Sequence, residues 1–383
     1  MEDPIICDNG TGFIKTGRCT SNYPEYSVPS VIGRPHPNFA ELVDRTIDMS
    51  AEFIGEQIES RRAALKLIYP MEEGIVKDWD TMEKVWAYTF AKFHSDHSKT
   101  CLMMTEAPLN PKKNREKMAE IIFEKFGFLG LDVQIQATLS LYAMGYMTGL
   151  VIDSGDGVTH CIPVSEGVVL NHSIQRINVA GRHLTDYLIK LLLLRGYNFH
   201  TSSDFEVVRE IKEKLCYVSA DILKEREIAK ETTILESDYQ LPDGTWIKVG
   251  QERFECGEVL FSPYLLGKES DGLSQMVFNS IMASPMDVRA SLYKGMLLSG
   301  GTTMLPGIST RIQRDMRKLH KELRGGSAAS KIVIKVEDPP YRKHLVYIGA
   351  TTLAKIYKSN PENTWIYKFN YEEEGPRILH KVR

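Results

Sequence analysis

Two short stretches carry the residue types that hold a phosphate chain and its metal. Ile5-Ile6-Cys7 ends in Asp8-Asn9-Gly10-Thr11-Gly12 and resumes as Phe13-Ile14-Lys15. Gly149-Leu150-Val151-Ile152 ends in Asp153-Ser154-Gly155-Asp156-Gly157 and resumes as Val158-Thr159-His160-Cys161. Both read strand, D-x-G-x-G, strand, which predicts a tight hairpin whose glycines supply positive φ and let the backbone approach a ligand. Amide N–H groups in such turns cradle phosphate oxygens, and nearby carboxylates balance a divalent cation, often through water. A single copy would equally suit a plain chain reversal. Two copies 145 positions apart, about one domain length, predict two similar lobes sharing one site. The chemistry expected there is a nucleoside triphosphate with Mg²⁺, with Asp8 and Asp153 as the metal carboxylates.

Hydrolysis of that triphosphate needs a water aligned with the γ-phosphorus. Gln136, before the second hairpin, and His160, within it, are the polar groups able to orient it. Neither is a strong base, so slow hydrolysis is expected; each residue would also serve as a satisfied core polar group. Lys15 could reach the phosphates or remain an exposed strand lysine. Gly300-Gly301 offers the flat backbone that a purine or ribose needs.

Other nucleotide and metal sites fit worse. Gly12 and Gly17 have Walker A spacing, but Arg18-Cys19 follows where Lys and Ser or Thr are required. No G-x-G-x-x-G opens a helix after a strand, and the kinase H-R-D and D-F-G motifs are missing. His94 and His97 have no further ligand cluster beside them, so a helix-end surface pair is expected.

The elements that must position these groups alternate. Trp79 to Phe90 has apolar residues at helical spacing after Asp78, a predicted N-cap; Asn114 to Phe126 and Ile135 to Met144 also read as helices. Leu102 to Thr105 reads as a strand closed by Pro108. Gly181 to Arg195 predicts a helix apolar nearly all round, hence deeply buried or covered by a partner. Phe205 to Tyr217 is another helix, and Leu241 to Trp246 a turn between strands. Met296 to Ser299 is a strand entering a glycine turn, followed by a helix through Ile312, Met316, Leu319 and Leu323. Its other face, Arg311, Arg314, Arg317, Lys318, Lys321 and Arg324, reads as a solvated face, with a partner-binding patch as the alternative. Gly325 to Ser330 reads as a short loop. Helices alternating with strands argue for an α/β architecture.

The 383 residues, 43% hydrophobic and 25% charged, are enough for two or three domains with buried cores. A net charge of -3 argues against a general nucleic-acid or anionic-membrane binder. The six cysteines are widely spaced, without a C-x-x-C pair, so reduced and mostly buried thiols are expected. The acidic start lacks a secretory pattern, and the apolar run Leu188 to Leu194 is far shorter than the roughly 20 residues that span a bilayer. A soluble intracellular protein is the expectation, with no nucleic acid as partner and no direct membrane insertion.

Asp8 to Lys15, Leu139-Ser140-Leu141-Tyr142, Asp153 to His160 and Leu298 to Met304 closely resemble the actin family, as do Thr105 to Pro111, Ile211 to Tyr217 and Leu241 to Gly244. The resemblance covers most of the chain. It implies an α/β actin fold: two duplicated RNase H-like domains around an ATP cleft, each with a smaller inserted subdomain. The first lobe would take 1–143 and 337–383, with 33–70 as its small subdomain. The second would take 144–336, with 181–269 as its own.

Carried over, the resemblance assigns Gly10, Thr11, Gly12 and Lys15 to the phosphates from one lobe and Gly155, Asp156, Gly157 and Val158 from the other. Asp8, Gln136 and Asp153 would surround the hydrated Mg²⁺. Arg209, Lys212 and Glu213 match the ribose and base contacts, with Gly300, Gly301, Thr302, Thr303, Met304 and Lys343 on the adenosine side.

Within the family, Leu191 to Tyr197, Asp204-Phe205-Glu206, Glu231-Thr232-Thr233 and Glu337 to His344 are similar to the actin-related branch that nucleates branched filaments. A long loop from about Lys318 to Lys331, a tail without the Cys-Phe ending of actin, and Glu73 in place of a histidine point the same way. That branch implies cytoplasmic, cytoskeletal partners: actin-related protein 3 and smaller complex subunits, actin filaments and monomers, and nucleation-promoting factors. Leu266 to Gly272 and Thr302 to Met304 are more similar to conventional actin, which keeps a self-polymerising divergent actin as the alternative; 36–54 match neither.

Overall fold

A computed structural model describes residues 2–36, 50–61, 65–323, 333–359 and 364–380. Arg324, the stretch Gly325 to Ser330, most of 36–54 and the tail 381–383 lie outside the described residues. The chain divides into two compact units, Met1–Met147 with His344–Arg383, and Thr148–Lys343. Val336–Glu337 pairs with Met296–Leu297 in the second unit's sheet.

In the first unit the strand Ile5–Asn9 is central. It pairs antiparallel with Phe13–Arg18, which pairs with Tyr26–Pro29, and parallel on its other side with Cys101–Glu106, followed by Gly130–Ile135 and the short Ile366–Tyr367. Ile5, Ile6, Cys7 and all of Cys101–Glu106 are buried, as expected of parallel strands covered on both faces. Helix Trp79–Ala91 packs here. Asp78 caps it by accepting from the Thr81 amide at 3.1 Å, and Met82, Val85, Trp86 and Phe90 enter the core. Lys112–Glu120 continues through a wider turn, Ile121–Lys125, that buries Ile121, Ile122 and Phe123. Helix Gln136–Ala143 packs on Leu345–Ser359, where a Cβ on Gly349 would lie 1.8 Å from the Leu139 carbonyl oxygen. Ile32–Pro35, Phe53–Ile54 and Leu65–Ile68 form a separate small sheet.

The second unit repeats this plan. Gly149–Ser154 is central, antiparallel to Thr159–Ser165 and parallel to Met296–Ser299, which is followed by Val336–Glu337. Helices Gly181–Leu194, Ser202–Leu215, Leu273–Ala283 and Ile308–Leu323 supply its core.

Two helix faces are less uniform than their composition suggests. Leu184, Leu188 and Leu192 of Gly181–Leu194 are buried, but Leu193 and Leu194 are 49% and 85% exposed. The helix is one-sided, because 100° per residue rotates its last two leucines off the buried stripe. On Ile308–Leu323 the basic face is only partly solvated. Arg311 forks onto Glu258 at 2.9 and 3.1 Å, and Arg314 reaches Asp221 at 2.9 Å. All six cysteines are buried and none forms a disulfide, and among the described residues no helix is long and apolar enough to cross a membrane.

Candidate functional site

The two hairpins superimpose residue by residue in their registers. Asn9 faces Ile14 and Ser154 faces Thr159, so each tip holds four residues, Gly10 to Phe13 and Gly155 to Val158. One step down, Asp8 faces Lys15 and Asp153 faces His160. The tip glycines do not act as expected: none of Gly10, Gly12, Gly155 and Gly157 has positive φ. Gly10 is required for space instead, since a Cβ there would lie 2.6 Å from the Phe13 carbonyl oxygen, whereas the nearest atom at Gly155 is 4.0 Å away. Positive φ falls at Gly300, at 90°, where a Cβ would sit 2.3 Å from the Ser154 carbonyl oxygen and 2.8 Å from Asp153 Oδ1.

In the first unit Asp8 is 2% exposed and multiply bonded. Thr105 Oγ1 donates to Asp8 Oδ1 at 2.8 Å, Gln136 Nε2 to the same oxygen at 3.3 Å, and Lys15 Nζ lies 3.3 Å from Oδ2. Gln136 also reaches Thr105 Oγ1 at 3.2 Å, and Thr105 Oγ1 accepts from the Asn9 amide at 3.1 Å. Asp8, Lys15 and Gln136 therefore form one cluster, with Thr105 as a further member. Thr105 is placed by the parallel register that pairs Cys7 with Met104, a contact between strands almost a hundred residues apart. Its sequence signals are its place in the strand ending Thr105-Glu106-Ala107-Pro108 and the family resemblance of Thr105 to Pro111, neither of which assigns it to the site. At the tip the Gly10 amide turns back to the Asp8 carbonyl at 3.2 Å, while the amides of Thr11 and Gly12 meet no protein acceptor among the described residues.

In the second unit the hairpin tip caps a helix. The amides of Gly181 and Arg182, at the start of Gly181–Leu194, donate to the carbonyls of Gly155 and Asp156 at 3.1 and 2.9 Å. Thr302 Oγ1 donates to the same Gly155 oxygen at 2.6 Å, and the Arg182 guanidinium forks onto Asp156 Oδ2 at 2.9 and 3.2 Å. Arg182, missed in the sequence, so holds the tip aspartate. The amides of Asp156 and Gly157 meet no protein acceptor among the described residues. Ser299 is the register neighbour of Asp153, the place Thr105 holds beside Asp8.

Lys212, 6% exposed, donates from Nζ to the Gly181 carbonyl at 2.8 Å and to Thr185 Oγ1 at 2.9 Å. It ties helix Ser202–Leu215 to the helix capped by the tip. On that helix Arg209 Nη2 lies 2.6 Å from Glu206, and its Nε 3.7 Å from the exposed Glu213. Gly301 is exposed, with nothing within 4 Å of a Cβ placed on it. Thr303 Oγ1 donates to the Gly300 carbonyl at 2.7 Å, and Arg342 forks onto the Thr303 carbonyl at 2.9 and 3.1 Å. Met304 ends the short helix Thr302–Met304, and Lys343 is exposed beside Arg342.

His160 is the most perturbed group among these residues. It is 1% exposed, Nε2 is buried without a hydrogen-bond partner, and Arg176 is its register neighbour. Burial, then the Arg176 charge, pushes its pKa down to about 3, so the ring is neutral at pH 7. Among the described residues no group of three or more metal-ligating side chains gathers. Each unit thus offers one aspartate at the base of a hairpin and two unbonded amides at its tip, the donor set a phosphate chain and a largely hydrated cation require.

The family model described as Actin matches residues 2–383. The chain is 46% identical over 388 residues to "Actin-related protein 2" of Drosophila melanogaster, covering 99% of this chain and 97% of that one. It is 46% identical to proteins of the same name from Schizosaccharomyces pombe, covering 99% of this chain and 98% of that one, and from Acanthamoeba castellanii, covering 98% of each.

Proposed function

The chain belongs to the actin family, and from that premise we propose that it is an ATP- and Mg²⁺-binding actin-related subunit of a complex that nucleates branched actin filaments. The observation that carries this reading is the 46% identity, over 98–99% of the chain, to three proteins named Actin-related protein 2. The partners it brings are actin-related protein 3 and smaller subunits, actin monomers and filaments, and nucleation-promoting factors, in the cytoplasm and cytoskeleton.

The tip residues Gly10, Thr11, Gly12, Gly155, Asp156, Gly157 and Val158, with Lys15, are assigned to the phosphates. Asp8 and Asp153 are assigned to the metal, largely through water. Arg209, Lys212, Glu213, Gly300 to Met304 and Lys343 are assigned to the nucleoside side. Lys212 has its two internal acceptors in this structure, which supports a role in stiffening the site. Gln136, anchored on Asp8 and Thr105, and His160, neutral and carrying a buried Nε2, orient the attacking water. A neutral imidazole with so low a pKa is a poor proton acceptor, in keeping with slow hydrolysis. Bound ATP would favour a closed arrangement of the two lobes only through its higher affinity for that form.

Isolation of the native protein at high salt tests the complex. A stable assembly containing a second actin-like chain and smaller subunits is expected, and a solitary monomer contradicts it. Extensive pelleting of the purified chain on its own, after addition of salt and Mg-ATP, would favour the self-polymerising alternative.

A further inference from the structure

Helix Lys368–Glu374 carries a feature that the nucleotide site does not use. Phe369 is 58% exposed and stacks on Tyr367, with ring centroids 5.8 Å apart and planes 12° from parallel. Glu372 and Glu373, three and four residues on, share its side of the helix and are exposed. An exposed phenylalanine by itself needs no explanation. This one is held rigidly from behind. Tyr367 pairs with Gly130 at the sheet edge, and the Lys368 amide donates to the Leu129 carbonyl at 2.9 Å. Tyr371, on the opposite side of the helix and 7% exposed, stacks on Phe123 at 4.8 Å and donates to Glu124 at 3.2 Å. Among the described residues no cation covers the Phe369 ring, and Lys368 reaches Glu372 only at 4.0 Å.

We propose that Phe369, Glu372 and Glu373 form a docking surface for an arginine-bearing basic segment of a partner protein. The outer face of an aromatic ring is electronegative and attracts a cation. Two carboxylates within one helical turn of the ring add acceptors for the same group. A planar guanidinium stacks and donates as a fork at once, which an ammonium cannot do, so the surface selects arginine over lysine. Because Tyr367 and Tyr371 fix the platform beforehand, little side-chain order is lost on binding.

The full chain is titrated with a fluorescent (Gly-Arg)₄ peptide and its (Gly-Lys)₄ counterpart at 150 mM salt, reading anisotropy. The arginine peptide is expected to bind more tightly. F369A should weaken it about two- to fivefold, F369L should weaken it comparably because the apolar bulk remains while the ring face is lost, and E372Q/E373Q should weaken it further. Equal binding of both peptides, no change with F369A, or F369L binding like the wild type would each overturn the proposal. Far-ultraviolet circular dichroism of each variant, expected unchanged because the altered side chains are exposed, separates loss of binding from loss of fold.

Discussion

The two hairpins share one register and use it differently. Opposite its aspartate the first places Lys15, an ammonium 3.3 Å from Asp8, and the second places His160, a buried imidazole held neutral. Beside the aspartate the first has the hydroxyl of Thr105 and the second that of Ser299. Beyond that hydroxyl the first strand continues into Glu106, buried and paired with Arg115, while the second breaks at Gly300 in the left-handed region. The duplicated frame therefore preserves the acid and its hydroxyl neighbour, and specialises the residue across the hairpin: charge in one unit, a neutral ring in the other.

The largest effect expected is at the break. Gly300→Ala forces a methyl against the Ser154 carbonyl and into a strained φ, and should cost about 3 kcal/mol or more. Gly301→Ala, with open space around it, should cost under about 0.5 kcal/mol. Hydrogen exchange of the Gly149–Ser154 amides reads both, and equal effects would remove the assigned role of Gly300.

His160 gives the next contrast. Its folded pKa of about 3 lies below the ordinary value of 6.5, so the unfolded chain binds the extra proton between those pH values. Stability of the second unit should fall by about 1.4 kcal/mol for each pH unit below roughly 6.5, levelling near pH 3. His160→Gln should remove that slope, whereas Lys15→Gln in the first unit should leave it intact. Urea unfolding followed by hydrogen exchange between pH 4 and 7 checks this; an unchanged slope in His160→Gln would show that other groups set it.

Smaller is the difference between equivalent tips. Gly10→Ala should destabilise the first unit by about 1–2 kcal/mol through its contact with the Phe13 carbonyl, and Gly155→Ala the second by under about 0.5 kcal/mol. Thermal unfolding of the two variants compares them directly. Lys15→Met takes the ammonium from buried Asp8, which keeps its bonds from Thr105 and Gln136, and should cost about 1–3 kcal/mol, while weakening ATP binding far more if Lys15 holds phosphate.

Much of this frame was legible in Asp8 to Lys15 and Asp153 to His160, because a hairpin is local and its register follows from a few residues. Trp79–Ala91 was legible for the same reason, down to its Asp78 cap. What was not legible depends on distant strands. Thr105 meets Asp8 only through parallel pairing, and Arg182 meets Asp156 only because the hairpin tip caps a helix. The glycines were misread in conformation: Gly10 is needed to avoid a contact with Phe13, and the positive φ lies at Gly300, which a Gly-Gly pair alone does not distinguish from Gly301. The basic face of Ile308–Leu323 looked solvated because Glu258 and Asp221, which hold Arg311 and Arg314, lie far away in sequence.

The central claim is that the two aspartates, one from each hairpin, serve one nucleotide and its metal. Equilibrium ATP binding in the presence of Mg²⁺, measured on the wild type, Asp8→Ala and Asp153→Ala in parallel with branch nucleation by the assembled complex, tests it most directly. Each single substitution is expected to weaken Mg-ATP at least tenfold and to reduce nucleation. Unchanged affinity and nucleation in either variant would contradict the account.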